Sequence, residues 1–244
     1  MIRGMLDDFR DVAPGTNISV EASLLGVGLD KPKGLHIMED EGIVLVADVG
    51  LKEIRGFAMQ GSEEEAEFIV EDLGADRAAW DVTYDAKSDT MWGAGTDGTA
   101  ILYEKFSDTL GEDGPDAEII PADDGEQISI NLHGIIYLQD SDTLLLKDVG
   151  SAQVADDGQF FLIQKASKAD DLTDVDGRLQ GDLTGLGNPV DLEYANGSIY
   201  VAEKAQDTVM RFDNILSLSG TKNISPEEKT TLLKAESVHV IETK

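Results

Sequence analysis

The sequence predicts an all-β fold, a propeller of five blades with six as the alternative. Three observations carry that prediction. First, a short stretch recurs five times, as Gly34-Leu35-His36-Ile37, Ala79-Trp80-Asp81-Val82, Asn131-Leu132-His133-Gly134, Pro189-Val190-Asp191-Leu192 and Ser237-Val238-His239-Val240. Second, the copies are spaced by roughly fifty residues, the length of a unit of four short antiparallel strands. Third, apolar and β-branched runs between the copies are punctuated by Asp, Asn and Gly turns, and helix signals are scarce. The whole chain, 1–244, is read as a single domain.

The first unit shows the parts. Residues 35–38 form an inner strand, and Glu39-Asp40-Glu41-Gly42 is a turn. Ile43-Val44-Leu45-Val46-Ala47 has the continuous apolar character of a strand covered on both faces. A third strand at 53–59 and an outer one at 67–70 complete the blade. The second unit repeats this at 81–84, 90–94, 99–106 and 117–120, and the third at 133–138, 143–147, 159–164 and 178–180. The fourth runs through 191–194, 199–202, 208–212 and 231–233, with Ala195-Asn196-Gly197 as a hairpin turn, since Asn and Gly accept positive φ.

The ends supply the fifth blade. Met1-Ile2-Arg3-Gly4 resembles the third-strand stretch Glu53-Ile54-Arg55-Gly56, and 17–22 has outer-strand character. Residues 238–241 read as an inner strand, so N- and C-terminal strands share the last blade and close the ring without free edges. That blade lacks a second strand, either because the N-terminus is trimmed relative to a parent protein or because the blade keeps three strands. Ser225-Pro226-Glu227-Glu228-Lys229 has the capping Ser and following Pro of a short helical turn. Asp213-Asn214-Ile215-Leu216 and Asp7-Asp8-Phe9 read as similar turns.

Charge narrows the partners. Forty-nine acidic residues against 19 basic ones give a net charge of −30, which excludes a nucleic-acid surface and opposes anionic membranes. The acids are spread over the whole chain, the pattern of a salt-adapted (halophilic) surface whose self-repulsion is screened by salt. The absence of cysteine removes disulfides and thiolate metal sites. No apolar run has transmembrane length and the N-terminus is not a signal peptide. The expectation is a monomer that is secreted, periplasmic or on the cell surface, its leader removed.

The recurring stretch also supplies the candidate site. In a propeller the inner strands line a central channel, so His36, Asp81, His133, Asp191 and His239 are expected to form a ring of imidazoles and carboxylates. The three His are all the histidines of the chain. Such a ring has two readings. One is a metal site for Zn, Mn, Fe, Ni or Cu. The other is a polar lining in which His and Asp hydrogen-bond each other or water. Trp80, beside Asp81, is a candidate ligand-binding residue at the mouth, with core packing as its other role. A second column, Asp48, Asp148 and Glu203 with Gly95 in the second unit, reads best as acids that accept backbone N–H bonds and fix turns. Asp174-Val175-Asp176-Gly177 opens like a calcium loop but lacks its later Glu. No nucleophile elbow or phosphate loop stands out.

Pro32-Lys33-Gly34-Leu35-His36-Ile37 followed by Val44-Leu45-Val46-Ala47-Asp48, and Asn188-Pro189-Val190-Asp191-Leu192 followed by Ile199-Tyr200-Val201-Ala202-Glu203, resemble the blades of NHL and SMP-30 (gluconolactonase)-like propellers. The resemblance extends over nearly the whole chain. It implies a propeller, and in the lactonases a divalent ion held in the channel by Glu, Asn and Asp; here His stands at three of the five positions. The reading that results is an exported, salt-adapted recognition domain that takes a small molecule or a metal ion at its channel. The alternative is a metal-dependent, lactonase-like hydrolase at the same mouth, with the three His as ligands and Asp81 or Asp191 as general base. Whether the chain is an enzyme stays open.

Overall fold

A computed structural model of the chain describes residues 28–59, 66–151, 154 and 156–240. Within them the chain builds four blades around one axis. Blade 1 is the antiparallel meander β1 (Pro32–Met38), β2 (Ile43–Asp48), β3 (Glu53–Ala58) and β4 (Phe68–Val70). Blade 2 is β5 (Ala79–Asp85), β6 (Thr90–Gly95), β7 (Ala100–Glu104) and β8 (Ala117–Asp123), with β9 (Glu126–Gln127) folded back on β8.

In the second half each blade also lends a strand to its predecessor. β10 (Leu132–Leu138), β11 (Thr143–Asp148) and β12 (Gln159–Gln164) open blade 3, but β13 (Asp171–Asp174) crosses to pair parallel with β8. The chain then returns as β14 (Gly177–Leu179), the outer strand of blade 3. Blade 4 follows with β15 (Pro189–Ala195), β16 (Ser198–Glu203) and β17 (Thr208–Phe212). Its β18 (Gly220–Lys222) joins β14 in parallel before β19 (Glu228–Thr231) closes the blade against β17. These loans saturate the outer edges of blades 2 and 3, which would otherwise be open to pairing.

The core lies between blades. Leu45, Ile54, Met91 and Ile101 belong to the layer between blades 1 and 2. Trp92, Leu102, Leu144 and Phe161 belong to that between 2 and 3, and Leu145, Leu162, Val201 and Phe212 to that between 3 and 4. This is why β6 and β11 carry no alternation: both faces of each are covered, and all six residues of each strand are buried. Hairpins follow from local chemistry. Asn196 (φ 51°) and Gly197 (φ 82°) take the left-handed backbone that a tight β-turn of the strand's own twist requires. In blades 2 and 3 an inner-strand tyrosine reaches a left-handed Asp of its hairpin, Tyr84 to Asp89 and Tyr137 to Asp142, both at 3.0 Å. Each Asp then accepts from the N–H and hydroxyl of a serine after the third strand, Ser107 or Ser167.

Two expectations are corrected. The described residues form four blades, not five or six. Of the strands assigned to a shared last blade, 1–4 and 17–22 lie outside the described residues, and Ser237–Val240 run without strand pairing. The helical turn expected from Ser225 and Pro226 is instead the approach to β19: Glu227 donates its N–H to Arg211, its side chain accepts from the N–H of Asp213, and the ladder to β17 overrides the local cap signal. The turn expected near Asn214 is present as a short 3₁₀ segment, Ile215–Ser217, while that at Asp7 lies outside the described residues.

Candidate functional site: the central channel

The inner strands β1, β5, β10 and β15 follow one another around the axis. Each carries a ladder irregularity at the same level, before Leu35, Asp81, Gly134 and Asp191. The extra residue at that level is Lys33, Trp80, His133 or Val190. A bulge re-aims the side chain it inserts. Two chambers open along the axis. The mouth chamber, about 570 Å³, is walled by Lys33, Trp80, Asp81, His133, Asp191 and the C-terminal run Glu236–His239, among others. The second, about 540 Å³, lies toward the hairpins and holds His36, Thr83, Tyr137, Glu193 and His239. Asp81, Asp191, Leu35, Val238 and His239 border both and form the waist between them.

The ladder places the five expected ring residues on three levels. His133 sits at the bulge, beside Trp80 in blade 2. Asp81 and Asp191 are one residue further in, where β1 and β10 carry Gly34 and Gly134. His36 is two residues deeper, in register with Thr83, Ile136 and Glu193, and its Nδ1 is 3.5 Å from the Thr83 hydroxyl. His239 joins that deep level by bonding Glu193 at 2.8 Å. Among the described residues no three His, Asp or Glu side chains converge as ligands for one ion.

The two aspartates are clasps. Asp81 accepts from its neighbour Val82 at 2.9 Å and from the Ile135 N–H of the next blade at 3.1 Å. Asp191 accepts from Leu192 and, at 2.8 Å, from Val238 in the C-terminal run. The glycines between them are spatial requirements. A Cβ on Gly34 would stand 2.0 Å from Asp81 Oδ1, and one on Gly134 would stand 3.1 Å from Lys147 Nζ.

Lys147 is the residue that the ring reading missed. It ends the apolar run Leu144-Leu145-Leu146 on β11, where the other three blades place Ala47, Ala94 and Ala202. It is 1% exposed, and its ammonium has no hydrogen-bond partner among the described residues. Burial pulls its pKa down while Asp191, Asp81 and Glu203 oppose that. Burial likewise pushes Asp81 well above the ordinary carboxylate range, with Lys147 opposing and Asp191 adding. The waist therefore holds two carboxylates and one ammonium in a poorly solvated wall. Its sequence signal was a lysine closing a strand otherwise fit for the core.

The mouth is built by stacking. The His133 imidazole lies on the Trp80 indole, centroids 3.4 Å apart and planes 8° apart. Lys33 Nζ is 4.7 Å from the Trp80 centroid. Burial, with Lys147 and Lys33 nearby, lowers the His133 pKa to about 3, so the ring is neutral at ordinary pH. Its Nδ1 is buried without a partner. Trp92, the other tryptophan, is wholly in the core between blades 2 and 3.

The second column has a different task. Asp48 accepts from the N–H groups of Asp30, Lys31, Gly50 and Leu51, Asp148 from Ile130, Asn131 and Gly150, and Glu203 from Gly187, Asn188 and Ala205. Blade 2 has Gly95 there, and the buried Arg77 spans Asp97 and Glu118 instead. Asp174 and Asp176 each accept a backbone N–H, from Gly125 and Gln164, as loop anchors do.

No protein-family model matches the sequence, and no curated protein matches it. Solved structures do. The WD40 β-propeller domain of Doa1 superposes with a TM-score of 0.56 at 14% identity, over 84% of this chain and 55% of that one. A chain of the nidogen/laminin complex gives 0.56 at 14%, over 85% and 66%. The chain thus spans between half and two thirds of these neighbours. At such identity the likeness establishes the β-propeller fold, and the NHL and SMP-30 resemblance is not what these neighbours bring out. No described helix is long and apolar enough to cross a membrane.

Proposed function

We propose that this propeller is a recognition module that receives its ligand in the mouth chamber of the channel. The observation that carries the reading is the Trp80–His133 stack. Four inner strands bulge at one level, and two of the bulges present a rigid aromatic platform to a chamber of about 570 Å³. A neutral imidazole with an unpartnered Nδ1 and an indole beside two carboxylates give the chamber an apolar floor with few, fixed polar groups, the composition of a binding site. The waist beneath supplies the rigidity. One structural neighbour was solved as a complex between two proteins, so a group presented by a protein partner is as compatible with this mouth as a free small molecule.

A metal at the channel draws less support, because His36, His133 and His239 stand on different levels. The test is a fragment screen read by NMR at the Trp80 indole N–H and the His133 ring. Ligands that shift both resonances, and that no longer bind Trp80→Ala or His133→Ala with the fold retained, support the reading. Ligands whose binding survives both substitutions refute it.

A further inference from the structure

The mouth chamber holds a cation of its own. Lys33 is exposed, and nothing in its sequence neighbourhood obliges it to turn inward, yet its ammonium lies over the Trp80 ring. Asp81 and Asp191 line the same chamber. Each of their four oxygens accepts one backbone N–H, from Val82, Ile135, Leu192 and Val238, and a carboxylate oxygen can accept two bonds. Four acceptor positions therefore remain around the waist. Lys147 balances one of the two carboxylate charges from behind the wall, and its ammonium donates to none of these oxygens. Lys33 is thus the cation that faces these acceptor positions from the chamber side, and the −30 of the whole chain favours a cation in its place.

Resting on the recognition reading above, we infer that the mouth chamber selects an alkylammonium group, and that Lys33 is an internal stand-in which the ligand displaces from Trp80. The indole face attracts the cation through its quadrupole, and ammonium N–H groups reach the unused acceptor positions of Asp81 and Asp191. His133 stays neutral against the indole and adds no repulsive charge. The group could arrive on a free amine or on a lysine side chain of a protein; the chemistry recognised is the same.

The experiment titrates the full chain with n-butylammonium, tetramethylammonium, the neutral alcohol n-pentanol and a capped Gly-Lys-Gly peptide, following the Trp80 indole N–H by NMR. Both ammonium probes are expected to shift that resonance, and n-pentanol is not. Lys33→Ala should tighten the ammonium probes about two- to fivefold by removing the competitor, and Asp191→Asn should weaken them. Lys33→Ala is a surface change, so it tests the idea even if Trp80 variants fold poorly. Stronger binding of the peptide than of n-butylammonium assigns the group to a protein source, and the reverse to a free amine. If n-pentanol binds as well as the cations, or Lys33→Ala leaves the ammonium affinity unchanged, the cation inference falls while the recognition reading stands. If no ligand of any class in the fragment screen shifts Trp80, the recognition reading itself falls.

Discussion

The waist and the mouth of the channel are made from adjacent residues of the same four strands, yet they are built on opposite principles. At the waist, Asp alternates with Gly, every carboxylate oxygen holds a neighbouring backbone, and a lysine is buried behind them. One residue outward, the bulged positions Lys33, Trp80, His133 and Val190 hold no neighbouring strand; two are aromatic and one donates a cation. Side chains that clasp the ring can meet a ligand only through acceptor positions the clasp leaves unused, and side chains that await a ligand contribute little to the ring. The comparison assigns stability to the waist and recognition to the mouth.

The largest test is to remove the buried charge. Lys147→Met leaves Asp81 and Asp191 facing each other in a wall that solvates them poorly, and should cost about 3–5 kcal/mol by urea unfolding near neutral pH. The cost should shrink in acid, where Asp81 takes up a proton. A loss below about 1 kcal/mol would mean that the ammonium is better solvated than its burial implies.

Next is Gly34→Ala. Its Cβ would meet Asp81 Oδ1 at 2.0 Å and Asp81 Cα at 2.6 Å, and no rotamer moves a Cα. About 3 kcal/mol is expected in thermal or urea unfolding. Gly134→Ala should be milder, about 1 kcal/mol, because it meets the flexible end of Lys147 at 3.1 Å. At the mouth, Lys33→Ala should stay within about 0.5 kcal/mol of the parent, as exposed positions do. A large loss there would erase the distinction between the two levels.

A third test uses pH. The folded-state pKa of Asp81 is raised, so the native chain retains a proton that the unfolded chain has lost. The stabilisation this brings is present at low pH and is lost as pH climbs from the ordinary carboxylate value, 3.8, through the raised one. Asp81→Asn cannot titrate, so its stability relative to the parent should improve across that window. Lys147 runs the other way: its depressed value makes stability recover as pH approaches 10.5. A parent-minus-variant difference that is flat from about pH 4 to about pH 8 would contradict the assignment.

What the sequence made legible was whatever local chemistry decides. The apolar runs that became β2, β6 and β11, the Asn196-Gly197 hairpin and the turn-fixing acids at 48, 148 and 203 all follow from residues next to one another. The loaned strands β13 and β18 do not, because Asp171–Asp174 and Gly220–Lys222 have no strand-like pattern and exist through pairing with the preceding blade. The ring departs from the sequence pattern for a related reason. Each inner strand carries a bulge, and the pattern of small, apolar and polar residues survives a slip of one or two positions, so the pattern pairs His36 with Asp81 whereas the ladder sets Gly34 at the level of Asp81. The correct register was within reach: counting back along the hairpin ladder from Asp48, Gly95, Asp148 and Glu203 reaches Gly34, Asp81, Gly134 and Asp191. Lys147 stood out in that same count, as a lysine among alanines.

The smallest expected effect is the most discriminating for the mouth. If Trp80 and His133 form a platform rather than a clasp, their coupling should be modest. A double-mutant cycle of Trp80→Ala and His133→Ala should return about 0.5–1.5 kcal/mol, the worth of an aromatic pair beyond its buried area. The pH dependence then separates a neutral stack from a charged one. Because the folded-state pKa of His133 is depressed to about 3, its contribution is complete above the ordinary histidine value, 6.5, and is lost as pH falls toward 3. The ring's NMR shift should accordingly stay constant between about pH 5 and about pH 8, where an unperturbed histidine would move. A His133 that titrates in that interval would carry positive charge against the indole. It would repel the alkylammonium assigned to the same chamber, so this measurement bears on the mouth's ligand as well as on its stability.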